Sequence, residues 1–257
     1  MEAYGVNTKR RDVIRDLLNA KGEVFLKDLE TMFPGCSSMT LRRDLKFFEE
    51  EGLVKRTRGG AVALSRLSMA AEDIYSRRAL ENTAAKTLIA KKAVPFVEGG
   101  RSLYLDSGTT LMMFAKQIPD DFVSLLTSGP NIALELIKKT KPTVMLIGGQ
   151  LSRNTISVSG ANASAFLSGV NIDTAFMAAS GFSLQNGFTS GTYSECELKQ
   201  ELLRRASKVI MLMDSTKVGK SLPYTFGALS DINMLVSDGG LSQDIIDAAK
   251  EAGVEVI

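Results

Sequence analysis

Two neighbouring runs decide the reading of the N-terminal quarter: Ser37-Ser38-Met39-Thr40-Leu41-Arg42-Arg43-Asp44-Leu45-Lys46-Phe47-Phe48, then Gly52-Leu53-Val54-Lys55-Arg56-Thr57-Arg58-Gly59-Gly60-Ala61. Ser37 suits a helix N-cap and Gly52 a stop, so the spacing predicts a helix ending near Glu51. Helical periodicity puts Leu41, Leu45 and Phe48 on one face, which must be core. The opposite face centres on Met39, Arg43 and Lys46, with Thr40 and Arg42 on its flanks. Such a face is either ordinary solvated surface or a reader of the DNA major groove. In the second case arginine takes guanine bidentately and Met or Thr touches a thymine methyl. Ser37, Ser38 and the helix's first amides could hold a backbone phosphate.

What flanks this helix favours the reader. Leu53–Thr57 and Ala61–Leu64 predict two short strands around Arg58-Gly59-Gly60, a hairpin with a flexible cationic tip. Lys55, Arg56 and Arg58 would lie along the DNA backbone or in the minor groove. Upstream, Asn7 is placed to cap a helix running to Ala20, whose apolar side is Val13, Ile14, Leu17 and Leu18, and Lys21-Gly22 ends it. Leu26–Phe33 predicts a second helix, broken by Pro34-Gly35. Three helices followed by a basic hairpin form a winged helix-turn-helix. The run from Cys36 through Leu45, with Glu51-Gly52-Leu53-Val54-Lys55-Arg56 and Gly59-Gly60-Ala61, resembles the DeoR family of bacterial sugar-catabolism regulators. It departs in one place: Arg58 stands where the family usually has histidine.

Composition narrows the alternatives. The 257 residues include no histidine, which removes His-based triads and His-ligated zinc. The two cysteines, Cys36 and Cys196, lie far apart and read as reduced thiols. Net charge is +2, too small to argue for nucleic acid by itself. Residues 1–62 hold 12 Lys/Arg against 10 Asp/Glu, and the remainder is balanced, so the excess sits with the predicted DNA reader. Met1–Lys9 carries no apolar core of a signal peptide. The long uncharged runs Asn154–Ile172 and Thr174–Ser194 are too rich in Ser, Gly and Asn to span a membrane. A cytoplasmic protein is expected, nucleoid-associated when bound to DNA.

The expected division is residues 1–64 as DNA-binding domain, 65–81 as linker and 82–257 as a second domain. Within the connector Arg77-Arg78 could touch DNA or form a solvated face. From Arg101 onward apolar runs alternate with helical patterns. Strands are predicted at Ser102–Asp106, Val123–Thr127, Thr143–Ile147, Thr174–Ala178, Val209–Met213, Met234–Val236 and Val254–Ile257. Helices are predicted at Thr109–Ile118, Asn131–Lys139, Ala161–Leu167, Ser194–Ala206 and Ser242–Ala252. The fold class is therefore α/β: a mostly parallel sheet covered on both faces, behind a small winged helix-turn-helix.

The predicted strands end in Asp106-Ser107-Gly108-Thr109-Thr110, Thr127-Ser128-Gly129, Gly148-Gly149, Ser180-Gly181 and Asp214-Ser215-Thr216-Lys217. Ligands of open α/β sheets bind beyond the carboxyl ends of strands. Ser107-Gly108-Thr109-Thr110 reads either as a capped helix without ligand or as a phosphate cradle, with Gly108 letting backbone approach and the hydroxyls donating. Neither a Walker A motif nor G-x-G-x-x-G is present, so no nucleotide cofactor is called for. Glu195 and Lys199 read either as an i,i+4 surface pair or as site residues. In the second case Lys199 or Lys217 meets the phosphate, and Asp106, Glu195 or Asp214 meets sugar hydroxyls.

The resemblance continues through Lys86, Asp106–Thr110, Gly148-Gly149, Gly160, Asp173, Gly181, Glu195–Lys199 and Asp214–Lys217. That sensor domain is similar to ribose-phosphate isomerase and glucosamine-phosphate deaminase. The likeness implies a phosphate at Ser107–Thr110 and a pocket completed by Asp106, Gly181, Glu195, Lys199 and Lys217. Thr127-Ser128-Gly129 departs from the family's usual Thr-Asn-Ser. The implied function is a repressor, a homodimer or homotetramer on double-stranded operator DNA, released by a phosphorylated sugar, with no membrane partner, metal or catalytic residue. The competing reading is a sugar-phosphate isomerase or deaminase with Glu195 or Asp106 as base and an accessory DNA-binding domain.

Overall fold

Residues 10–18, 22–63 and 75–257 are described by a computed structural model, and the chain divides between Ala70 and Ala71 into two units. In the first, α1 covers 10–18. It is followed by β1 (Glu23–Phe25), α2 (Leu26–Met32), α3 (Ser38–Glu50), β2 (Val54–Thr57) and β3 (Gly60–Ala63). The predicted cap Asn7 and the predicted ends Ala20 and Leu64 lie outside the described residues. Helix α3 forms as its sequence dictates. The Ser37 hydroxyl accepts from Thr40 N at 3.2 Å, and at the far end Gly52, at φ +70°, turns the chain out. Ile14, Leu18, Leu29, Leu41, Leu45, Phe48 and Val54 share one core.

The sheet of this unit was only partly legible. Strand β1 pairs antiparallel with β3, giving the order β1-β3-β2. Its three residues are too few for periodicity to reveal. This strand also corrects the reading of Gly60. It is buried in β3 rather than part of a flexible tip, and a Cβ there would stand 1.9 Å from the Val24 carbonyl oxygen. Glycine is required because β1 crosses so closely.

The second unit opens with α4 (Tyr75–Leu80) and α5 (Thr83–Ala93), so the predicted linker contains a helix. Its main sheet is built from β4 (Ser102–Leu105), β5 (Ser124–Thr127), β6 (Thr143–Leu146), β9 (Ile172–Met177), β12 (Ala206–Leu212), β14 (Met234–Val236) and β15 (Glu255–Val256). The order is β15-β14-β12-β9-β4-β5-β6, with every pairing parallel. Helices α6 (Thr109–Gln117), α7 (Pro130–Leu136), α8 (Ala161–Leu167), α9 (Tyr193–Arg205) and α10 (Gln243–Glu251) alternate with the strands. Pleating sends Leu103 and Leu105 into the core with Ile89 and Phe114. Tyr104 goes to the other side, with Leu198 and Leu202. Both strand faces are therefore apolar, as a covered parallel sheet demands.

Three features were not anticipated: the hairpin β7 (Gln150–Ser152)–β8 (Ser157–Ser159), the pair β10 (Gly181–Ser183)–β11 (Gly187–Ser190), and β13 (Tyr224–Gly227) alongside β11. The topology matters for function. From β4 the chain winds outward through β5 and β6, then returns to place β9 on β4's other side. The strand order therefore reverses between β4 and β9, where open α/β sheets form their ligand crevice.

Candidate DNA-reading surface and effector site

Helix α3 presents Ser37, Ser38, Met39, Arg42, Arg43 and Lys46 to solvent, with Thr40 half-buried, and the hairpin presents Lys55, Arg56 and Arg58. Met39 is 69% exposed, a large apolar side chain left in water on the face expected to read bases. Some predicted contacts are already engaged. Ser38 Oγ donates to Glu30, Lys46 lies 3.5 Å from Glu50, and Ser37 caps the helix. Arg56 is turned back onto α3: its Nε and backbone N donate to Glu49 at 2.6 and 3.1 Å, which draws the Glu49 carboxyl below its ordinary range. Arg56 thus braces the wing against α3, leaving Arg42, Arg43, Lys55 and Arg58 as the cationic rim.

Sequence reasoning missed Asp44. It is 1% exposed and receives Arg10 Nε at 2.6 Å and Arg11 Nε at 2.8 Å. Its hydrogen bond raises the Arg10 guanidinium further above its ordinary value. Arg11 also stacks over Phe47 at 4.0 Å. The carboxylate ties α1 to α3 from inside the unit. The signal was present: Asp44 falls three residues after Leu41, on the apolar face, where a charge needs a partner.

In the second unit the carboxyl ends of β4 and β9 meet α9. Asp106 accepts from Ser107 N at 2.8 Å and Ala178 N at 3.1 Å. Lys199 Nζ closes on the same carboxylate, reaches the Ala178 carbonyl at 2.8 Å and lies 3.9 Å from Glu195. Asp106, Lys199 and Glu195 are 2%, 3% and 6% exposed, so Glu195–Lys199 is not a surface pair. Beyond them Gly108, at φ +105°, swings the chain into α6. The amides of Gly108, Thr109 and Thr110 have no acceptor within the helix, and the positive end of α6 faces the same place.

The crevice at that place, partly open to solvent, is lined by Arg78, Ser107, Gly108, Thr109, Thr110, Thr155, Ala178, Ala179, Ser180, Glu195, Lys199 and Lys217. Backbone donors, hydroxyls and cationic side chains converge here on a space at the β4–β9 reversal, a chemistry suited to an oxyanion. Of the predicted effector residues, Ser107, Gly108, Thr109, Thr110, Glu195, Lys199 and Lys217 are brought together. Arg78 and Thr155 were not foreseen, and Ser180 was expected only as part of the Ser180-Gly181 strand end. Thr155 and Ser180 sit in loops whose place depends on pairing between distant strands.

The other predicted residues do not line this space. Asp106 is consumed by three donors and positions Lys199. Thr127 Oγ1 accepts from Gly129 N at 3.0 Å, and Ser128 offers its carbonyl to Val158 N at 2.8 Å, so that segment builds the turn into α7. A Cβ on Gly149 would stand 2.6 Å from Ser159 O, and one on Gly181 2.4 Å from Lys220 O; both glycines permit close backbone packing. Gly148 lies in the same turn and also lines no part of the space. Asp214, 1% exposed, accepts from Asn82 Nδ2 at 3.4 Å and from Thr216 Oγ1. It belongs to a neighbouring polar knot with Lys86, whose ammonium donates to the carbonyls of Arg78 and Glu81. Burial, then the charge of Lys217, lowers the Lys86 pKa.

Comparison with known proteins places these features in context. Residues 10–66 match the DeoR-like helix-turn-helix domain, and residues 81–239 the DeoR C terminal sensor domain. The chain is 33% identical over 224 residues to the HTH-type transcriptional regulator GlpR of Haloferax volcanii, covering 87% of each protein. It is 30% identical over 251 residues to the putative aga operon transcriptional repressor of Escherichia coli O157:H7, covering 97% of this chain and 93% of that one. Among solved structures, ribose 5-phosphate isomerase A from Methanocaldococcus jannaschii aligns at a TM-score of 0.40 and 16% identity, over 54% of this chain and 55% of the other. The sequence relatives carry the names of regulators, not of enzymes. Among the described residues no helix is long and apolar enough to cross a membrane.

Proposed function

Since the chain belongs to the DeoR family of transcriptional regulators, we propose that it represses a sugar-catabolism operon and leaves its operator when a phosphorylated sugar fills the β4–β9 crevice. The observation that carries this is the convergence of the α6 N-terminus with Arg78, Lys199 and Lys217 on one space. The phosphate would lie on the amides of Gly108–Thr110, with the hydroxyls of Ser107, Thr109 and Thr110 beside it. Glu195, Thr155 and Ser180 are then placed for the sugar hydroxyls. In homodimers or homotetramers two α3 helices would meet successive half-sites of the operator. Release requires only that the effector bind the DNA-incompetent arrangement better. A tenfold loss of operator affinity corresponds to about 1.4 kcal/mol of coupling.

The test begins by selecting a preferred duplex from random DNA with the purified full chain. Phosphorylated sugars and their unphosphorylated counterparts are then titrated into the complex. Release by a phosphorylated member, without release by its free sugar, is the expected result; indifference to the whole panel overturns the sensor reading. On the same duplex, Arg43→Ala is expected to cost about 1–3 kcal/mol and to loosen base preference. Arg58→Ala should weaken all sequences alike and reduce the salt slope by about 1. Unchanged affinity and selectivity in both variants would contradict the assignment of α3 and the wing.

A further inference from the structure

The two edges of the seven-stranded sheet are built differently. Strand β15 closes one of them with two residues, Glu255 and Val256. A short, charged strand is one way proteins keep an edge from pairing with another chain. Strand β6 closes the other with Thr143-Val144-Met145-Leu146, which carries no charge. Among the described residues no strand pairs with its outer side.

The register decides what that edge offers. Thr143 N and Ile147 N donate to the carbonyls of Val123 and Thr127 along β5, both at 3.0 Å. The N–H and C=O of one residue share a side, and successive residues alternate. Val144 and Leu146 therefore turn both groups outward. Apolar side chains border this row on both faces of the sheet. Val144 packs with Leu136 on the α7 side. Leu146 comes out on that same side, the side of α7 with its exposed Leu134 and, just past its end, Ile137. Met145 comes out on the opposite face, and Leu151 is exposed in the hairpin that follows. Leu134, Ile137, Met145, Leu146 and Leu151 are between 42% and 64% exposed. A free ladder bordered by apolar side chains marks a docking surface for another chain.

We propose that the occupant is a second copy of this chain, with β6 pairing antiparallel to the partner's β6 about a two-fold axis at Met145. In that register Val144 exchanges both its hydrogen bonds with the partner's Leu146, and Leu146 with the partner's Val144. Every outward N–H and C=O of these residues is used on both copies, and the contact is closed and isologous. A register two residues earlier sets Leu146 against the partner's Pro142, which has no N–H to give. Charge agrees with the choice. Lys141 falls level with the partner's Gly149, so the two Lys141 residues stand eight positions apart, roughly 26 Å. That is well beyond the screening length of about 8 Å at physiological salt. The proposal rests on the oligomer expected above and names the surface that builds it.

The experiment measures the mass of the full chain by sedimentation equilibrium over a range of concentrations, beside Met145→Lys and Met145→Cys. Met145→Lys sets two ammonium groups face to face at the axis. It is expected to halve the mass of the wild-type assembly, or to weaken association at least tenfold. Met145→Cys places two thiols at a non-hydrogen-bonded pair, with Cα atoms about 4.5 Å apart, within the span of about 4.4–6.8 Å that a disulfide bridges. Under mild oxidation most of its chains should become covalent dimers. The wild type, which keeps Cys36 and Cys196, and Thr143→Cys, which would face the partner's Ile147, should not. The cross-link needs no charged variant and covers the case in which Met145→Lys folds poorly. A wild type that stays monomeric at every concentration removes the expected oligomer, and this interface with it. A wild-type oligomer whose mass Met145→Lys leaves unchanged, or in which Met145→Cys links no better than its controls, overturns the β6 interface while the oligomer stands on another surface.

Discussion

Replacing Asp44 by alanine is expected to destabilise the winged-helix unit by about 3–5 kcal/mol, the range for removing one partner of a buried ion pair. Asp44 is 1% exposed and Arg10 6%, so the substitution removes from inside the unit the carboxylate that Arg10 and Arg11 share. Urea titration of the full chain, followed by amide exchange in peptides from α3, should show these amides opening at far lower denaturant while those of β9 and β12 hold. Operator binding should fail with them. The paired change Asp44→Leu with Arg10→Met removes both charges and should recover much of the stability. Unaltered exchange in α3 of Asp44→Ala would show that the Arg10–Asp44–Arg11 cluster does not hold the reading helix.

Lys199→Ala is expected to act on the second unit with similar size, about 3–5 kcal/mol. Its ammonium closes on Asp106 and caps the Ala178 carbonyl from within the core. Without it Asp106 retains the amides of Ser107 and Ala178 but loses its counter-charge. At about 2–4 °C per kcal/mol for a domain of this size, the calorimetric transition of the sensor should fall by roughly 10 °C. Pairing Lys199→Gln with Asp106→Asn should cost less than the two single changes together, because each relieves the charge the other leaves behind. Strict additivity would mean that the two groups do not act as a pair.

How much of this was legible follows from where each signal lies. Helix α3 could be read almost to the residue because its cap, its periodicity and its stop are all local. The strands of the main sheet were readable as apolar runs, but their order was not, since parallel neighbours are chosen by packing between distant segments. The phosphate-suited turn Ser107–Thr110 was visible because strand end, glycine and helix start are contiguous. Arg78 was not, because a charged residue in a charged connector carries no sign of the cavity it will enter. Asp106 and Asp214 were assigned to sugar hydroxyls on residue type. Burial redirects both: Asp106 to Lys199 and backbone amides, Asp214 to the knot around Asn82. Thr127, Gly149 and Gly181 sit at strand ends where ligands are held, yet they serve turns and close packing, which share the same residue types.

Coupling of the proposed anion site at the β4–β9 reversal to the DNA-binding unit must be reciprocal. Operator affinity is measured with and without saturating phosphorylated sugar, and sugar affinity with and without saturating operator duplex. Linkage demands that the two ratios agree. Equal factors of tenfold or more are expected, each binding partner weakening the other. Factors of one in both directions, with tight binding of each ligand, would show two surfaces that share a chain without communicating.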